Sequence, residues 1–329
     1  MTQALDALTA QLLDAAKAAG ADTADAMAVR GTSLSVEVRG GKLEEAQREE
    51  GTDIGLRVFV GQRSAIVSSS DTASHTLSEM ATLAVAMARE APENTYAGLA
   101  DPDQIATDWD VASLELSDPT PEPAPAALQE DAAQAEAAAL EVEGISQVQS
   151  ASAAYGARDI HMAGTNGFSG GYRRTDRGLS CVAIAGTGTG MERDYDGDSR
   201  IFQSDLRGAA EIGRTAAERT LLRLGARKPR TGSFPVLFDE RIASSLIGHL
   251  LGAVNGSSIA RGASFLRDAM GAQVLPKGMS LLEDPHRPRT SGSRPFDAEF
   301  LPTAKRAVVE DGILQGWTLD LATARKLKL

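Results

Sequence analysis

The stretch that decides the reading runs from Phe234 to Lys326. It opens on Pro235-Val236-Leu237-Phe238 and continues with R-I-A-S-S-L-I-G-H-L-L-G-A-V-N-G over 241–256, S-I-A-R-G-A-S-F-L-R-D over 258–268 and E-D-P-H-R-P-R-T-S-G-S-R-P-F-D-A-E over 283–299. The first four residues read as a strand. The second segment reads as a helix with Ile242, Leu246, Ile247, Leu250, Leu251 and Val254 around much of its circumference, a pattern that calls for a protein cover. In the last segment Pro285, Pro288 and Pro295 each fix φ and restrict the residue before them, so the loop is stiff. Its charges are expected to pair locally, Asp284 with Arg287 or Arg289 and Arg294 with Asp297 or Glu299. Such a loop suits a subunit contact or a cavity rim, or is a structural loop held by ion pairs.

Three pieces of this region, S-F-L-R-D at 264–268, D-P-x-R-P at 284–288 and S-R-P-F-D-x-E at 293–299, resemble the TldD/PmbA family. The resemblance extends over nearly the whole chain and is nearer the PmbA (TldE) subunit than the metal-bearing TldD subunit. It implies one of two paired subunits of a peptide-degrading metalloprotease. In the TldD subunit a helix carries H-E-x-x-x-H, with the glutamate as general base. Histidines five apart on a straight helix point about 140° apart, against about 40° for a spacing of four, so the motif needs a distorted turn. Here the three positions fall on Ser244, Ser245 and His249, with Gly248 before the histidine. A catalytic zinc takes at least three protein ligands, so one imidazole does not hold it. His249 is then expected to be a histidine on an apolar helix satisfied by one hydrogen bond.

The resemblance therefore implies no catalytic residue and no metal in this chain, with zinc or a similar divalent metal in a TldD-like partner subunit. It implies that Asp284, Arg287, Arg294, Asp297 and Glu299 shape a chamber or interface. One departure is Phe300, where the family has glycine. Family members also run on for about a further 100 residues, which marks this sequence as C-terminally truncated. The uncovered helix then makes self-association into a homodimer, or reduced stability, the expectation in isolation.

Composition sets the outer limits. The 329 residues suffice for two domains, and 42% hydrophobic with 24% charged residues describe a globular protein. A net charge of −12 argues against a nucleic-acid partner, including for the family's description as a modulator of DNA gyrase. No run approaches the roughly 18 apolar residues of a membrane span, and the acids Asp6 and Asp14 exclude a signal peptide at the start. The one cysteine, Cys181, lies in the alternating strand S-C-V-A-I-A, reads as core, and fits the reducing cytoplasm.

Along the chain, helices are expected at 2–20, 72–91, 126–143 and 206–224, the second capped by Ser70 or Asp71 and burying Leu77, Met80, Leu83, Ala84 and Met87. Period-2 runs between them give strands at 26–30, 33–39, 42–49, 54–60, 63–68, 145–155, 158–163, 170–174 and 179–185. The fold class is α+β, with antiparallel sheets flanked by helices and then a partial β-rich C-terminal domain. Domains are expected at 1–225 (halves 1–91 and 126–225, connector 92–125) and 233–329. T-D-x-G-L occurs at both 52–56 and 175–179, from a duplicated helix–strands–helix unit of similar packed layers or from chance recurrence of a turn before a strand.

Several motifs are declined. Gly167-Phe168-Ser169-Gly170-Gly171 fits G-x-S-x-G but lacks the following helix of a nucleophile elbow. Asp194, Asp196 and Asp198 read as a solvated acidic loop, since Gly197 comes too early for a calcium loop. His75 and His161 receive no role. Three functions compete: a non-metal subunit of a TldD/TldE-type protease acting on unfolded or short peptides, a peptide-binding module without hydrolysis, and a self-sufficient serine hydrolase using Ser169 or Ser244.

Overall fold

The structure, a computed structural model, describes residues 4–329, so the expected helix start at Thr2 lies outside them. Helix α1 (Leu5–Ala19) stops at Gly20, whose φ of 97° is the left-handed cap glycine adopts at least cost. Strands β1 (Thr23–Arg39), β2 (Lys42–Val60) and β3 (Arg63–Ser69) precede helix α2 (Ser74–Glu90). The pattern repeats with α3 (Pro125–Leu140), β4 (Ile145–Gly164), β5 (Ser169–Ala185), β6 (Glu192–Arg200) and α4 (Ala209–Leu221).

All six strands form one antiparallel sheet in the order β3-β2-β1-β4-β5-β6. From either edge the strands run third, second, first of one unit and then first, second, third of the other. The two units thus lie side by side, joined where β1 pairs with β4, and are not stacked layers as the repeat suggested. The T-D-x-G-L copies occupy matching places, with Leu56 and Leu179 each buried under its own helices.

The strands are longer than the sequence breaks imply. Gly31 faces Gly51 across the β1–β2 ladder, so 26–30 fuses with 33–39 and 42–49 with 54–60. A glycine weakens a strand but keeps its ladder hydrogen bonds, and two of them opposite each other leave the pairing intact. The pairs of runs expected within β4 and β5 fuse likewise. β1 explains the length. Its Ala24, Ala26 and Ala28 face Leu8, Leu12 and Leu77, while Leu34, Val36 and Val38 face Leu128 and Ile212. All six are even-numbered, so one sheet face carries all four helices and both cores. Full burial of each leucine contributes roughly 2 kcal/mol.

Helix faces differ in detail from expectation. On α2 the buried set is Leu77, Met80, Ala81, Ala84, Val85 and Ala88, whereas Leu83 and Met87 are exposed. Its N-cap is Ala73. Asp71 instead accepts from the Ala73 N–H at 2.9 Å and the Thr76 hydroxyl at 2.6 Å. On α4 Ile212, Ala216 and Thr220 are buried, and Leu224, inside the expected helix 206–224, lies beyond its end and is exposed. Cys181 is buried in the core as expected, and burial pushes its thiol up to about 12.

The acidic stretch expected to be a solvated loop is the edge strand β6. Asp194 and Asp196 turn inward and are nearly buried, facing arginines on the helix side. Alternation of aspartates with Arg193, Tyr195 and Gly197 was strand periodicity, carried by charged residues that burial tolerates only when paired. The connector is also packed: Leu114 and Leu116 are buried with Ile201.

Beyond 233 come α5 (Glu240–Ala253), α6 (Gly256–Ala260), a small sheet β7-β8-β9 (Leu281–Glu283, Arg306–Glu310, Ile313–Leu314) and α7 (Leu321–Leu327). The expected strand at 235–238 does not form; Val236 and Leu237 are exposed and no neighbouring strand offers a ladder. A tight turn at Asp311-Gly312, both residues at positive φ, joins β8 to β9 in a hairpin. Asp320 caps α7 in a capping box with Thr323. Among the described residues no helix is long and apolar enough to cross a membrane.

Candidate functional site

Helix α5 carries the three positions singled out by the motif. Asp239 caps it, its carboxylate accepting from the Arg241 N–H at 3.0 Å. Arg241 then reaches back to the sheet edge, its guanidinium donating to both oxygens of Asp194 at 2.8 and 3.2 Å. This fork ties α5 to β6. The hydrogen bond from Arg241, with burial opposing it, holds the Asp194 carboxyl below the usual carboxylate range.

Along the rest of α5 little is covered. Only Ala253 is buried within it, and Ile242, Leu246 and Leu251 are exposed. Ser245 donates its hydroxyl to the Ile242 carbonyl at 2.6 Å, a bond within the helix. Ser244 and His249 are exposed, and among the described residues nothing bonds to His249, where one hydrogen bond was expected. An exposed imidazole is satisfied by water. The donor set is two hydroxyls and one imidazole on a helix open to solvent, which does not fit a divalent metal needing three protein ligands. Among the described residues no group of three or more His, Cys, Asp or Glu side chains is placed to hold one.

The 283–299 loop lies on the sheet face opposite the four helices. Phe296 and Phe300 pack there with Phe168 and Trp109, edge to face at 4.8 and 5.0 Å for Phe296 and stacked at 4.4 Å for Phe300 on Phe168. Phe300 has φ 72°, a left-handed conformation costing a non-glycine residue about 1–2 kcal/mol. That accounts for the family's glycine. Here the ring is 1% exposed, and burying a phenylalanine contributes about 1.5–3 kcal/mol, which offsets the strain.

The loop's charges do not pair among themselves as expected. Asp284 takes Lys305 at 3.4 Å and the His286 N–H, which lowers its carboxyl. Arg294 reaches Glu283 only at 3.9 Å, and Glu283 is held more closely by Arg306 at 2.7 Å. Asp297 accepts the Glu299 and Leu301 N–H groups and so builds the turn before the strained Phe300. Glu299 accepts the Leu321 N–H at 2.9 Å at the start of α7, and burial raises its carboxyl. Arg289 pairs with Glu115 and Asp205 far along the chain, while Arg287 makes no ion pair among the described residues. Sequence spacing favours neighbours as partners, but Lys305, Glu115 and Asp205, all outside the loop, take their place.

One contact was missed. His161 of β4 stands between Thr9 of α1, 2.9 Å from Nδ1, and Ser169 of β5, 3.4 Å from Nε2. The Thr9 hydroxyl donates to the Asp6 carbonyl at 2.9 Å, so it accepts from Nδ1–H and leaves the Nε2 lone pair toward Ser169. Burial lowers the imidazole pKa and favours this neutral form. Ser169 begins a strand after the Asn166-Gly167 turn, with Gly167 at φ 97°, and no helix follows it. The strand pairing that brings residues 161 and 169 together was legible in the hairpin; the contribution of α1 was not.

Comparison with known proteins agrees with the resemblance. Three family models match: PmbA/TldA metallopeptidase domain 1 over 24–88, the central domain over 116–224 and the C-terminal domain over 231–329. The chain is 35% identical over 311 residues to "Metalloprotease PmbA" of Escherichia coli O157:H7, spanning 94% of this chain and 68% of that protein. A Bacteroides thetaiotaomicron structure named as a modulator of DNA gyrase superposes with TM-score 0.92 at 25% identity, covering 98% of this chain and 74% of that one. TldE from Thermococcus kodakarensis shares the fold, with TM-score 0.79 at 17% identity over 98% of this chain and 72% of that one.

Proposed function

The chain belongs to the PmbA/TldD family of metallopeptidases, and on that premise we propose that it is the partner subunit that holds no metal in a two-subunit protease of unfolded or short peptides. The observation that carries this reading is Ser244 and Ser245 standing where a ligand and a general base are required, on a helix whose only imidazole is His249. A TldD-like partner subunit would hold the zinc or similar divalent metal and would supply the Lewis-acid chemistry that peptide hydrolysis needs. This chain's residues contribute the wall. The exposed apolar side of α5 and the loop carrying Arg287 and Arg294 support a subunit surface there. A single buried thiol suits the cytoplasm.

A serine-hydrolase reading draws on the Ser169–His161 contact. Two facts weigh against it: Thr9, not a carboxylate, orients the imidazole, and the 3.4 Å separation is long for a general base. Peptide hydrolysis assayed with this chain alone, the metal-bearing partner alone, and both together separates the readings. Turnover is expected only with both, and Ser169→Ala in the mixture is expected to stay within a few-fold of wild type. Loss of a true nucleophile is on the order of 10⁶ in rate. A collapse of that size with the fold intact would establish the serine mechanism instead.

A further inference from the structure

On the sheet face away from the helices, the ends of β4, β5 and β6 and the 287–291 turn enclose a cavity of about 640 Å³. Five arginines line it, Arg158, Arg174, Arg200, Arg287 and Arg289, against one carboxylate, Asp176. In a chain with 45 acidic and 33 basic residues this is a local inversion of charge.

The arginines are not equally engaged. Arg289 is spent on Glu115 and Asp205 and stacks over Phe202 at 3.8 Å. Arg200 pairs with Asp198 on its own strand, and Arg174 donates to the Ser291 carbonyl at 2.5 Å. Arg158 and Arg287 have no ion pair among the described residues. Both line the same cavity, one on strand β4, the other on a stiff loop.

That loop is held in place. Ser293, fully buried, donates its hydroxyl to the Arg287 carbonyl at 2.7 Å, and the Arg289 N–H donates to Leu114 O at 3.0 Å. Arg289 sits at φ 52°, a strained conformation for a side-chain-bearing residue. Strain of this kind persists where the surroundings impose it, and it is a pointer to function rather than a proof. With Arg289 and Arg200 already paired, Arg158, Arg174 and Arg287 face the cavity against Asp176 alone, an excess of positive charge that the nearby carboxylates do not balance.

We propose that this cavity is an anion site that takes an acidic stretch of a peptide chain, with Arg158 and Arg287 each forking onto a carboxylate. The planar guanidinium matches a carboxylate bidentately, and the volume is that of an ordinary ligand pocket. A nucleic-acid strand is disfavoured by the neighbouring cavity, which shares Arg158 and whose other charged lining residues are Glu49, Glu50 and Asp53. A long polyanion would run into those carboxylates. The choice of a peptide rests on the peptidase reading above, whereas the anion site does not.

The test is fluorescence anisotropy of a labelled Gly-Glu-Glu-Glu-Gly peptide with the intact chain, beside its Gln counterpart. The acidic peptide is expected to bind at least about tenfold more tightly, with affinity falling as salt rises. Arg158→Gln with Arg287→Gln is expected to remove that preference and leave the thermal melt unchanged, since neither side chain holds an ion pair in the fold. Arg158→Lys with Arg287→Lys should retain part of it, charge being kept and the fork lost. Citrate and inorganic phosphate should compete with the peptide. Equal binding of the two peptides, wild-type affinity in the glutamine variant, or a chain that binds citrate or phosphate but not the acidic peptide would each overturn the proposal. Failure to find hydrolysis with any partner would overturn the peptidase reading and leave this binding result standing, so the two failures are distinct.

Discussion

Gly213→Ala is expected to destabilise the fold by about 3 kcal/mol or more, at or beyond the upper end for overpacked cores. Gly213 lies in α4 where it crosses α3, and a Cβ there would sit 2.0 Å from the Ala135 carbonyl oxygen and 2.9 Å from its carbon. Both obstructing atoms are backbone within a helix, so no side-chain rotation relieves the clash. The helices must separate, which opens the cluster of Leu128, Ala132, Ala135, Ile212 and Ala216. The alanine-rich face of α3 is what permits the close approach. Urea denaturation reads the effect. Gly248→Ala in α5 is the contrast, because nothing lies within 4 Å of its added Cβ. There alanine's helix propensity should stabilise, by up to about 1 kcal/mol. A wild-type urea midpoint for Gly213→Ala would show that α3 and α4 are not in backbone contact.

Asp194→Asn is expected to cost about 3 kcal/mol at pH 7, the scale for breaking a buried pair by removing one charge. Its carboxylate is 7% exposed, takes Arg241 by a fork and has Arg223 at 3.5 Å. The pH dependence follows from the lowered pKa. A carboxyl depressed in the folded state contributes stability that is present above its unfolded value, about 3.9, and lost as pH falls through the folded value. Wild type should therefore weaken below about pH 4, and Asp194→Asn should show a shallower acid limb from a lower starting point. Since Arg241 belongs to α5, amide exchange in 240–253 should rise in the variant. Unchanged exchange would mean that other contacts hold α5 to the sheet.

The parts of the fold that could be read from sequence were those governed by local rules. Gly20, Gly167 and Asp311-Gly312 lie at positive φ where elements end, a conformation that glycine adopts at least cost. The alternation around Cys181 gave the core face of β5. What failed was set by distant neighbours. Gly31 and Gly51 looked like breaks until each found the other across a ladder. β6 was hidden because its inward residues are aspartates, acceptable there only through Arg207, Arg219 and Arg241 from elsewhere in the chain. At the site, the serines of α5 were singled out by the family resemblance, whose motif falls on them. The arginine-lined cavity was not, because its residues come from three strand ends and one loop.

Zinc content of the purified chain, after equilibration with excess zinc and desalting, decides most directly whether this subunit works without its own metal. Ser244 and Ser245 leave His249 alone on α5, so well below one zinc per chain is expected, with no chelator-sensitive cleavage of peptides. One tightly held zinc per chain, together with hydrolysis that a chelator abolishes and zinc restores, would contradict that account.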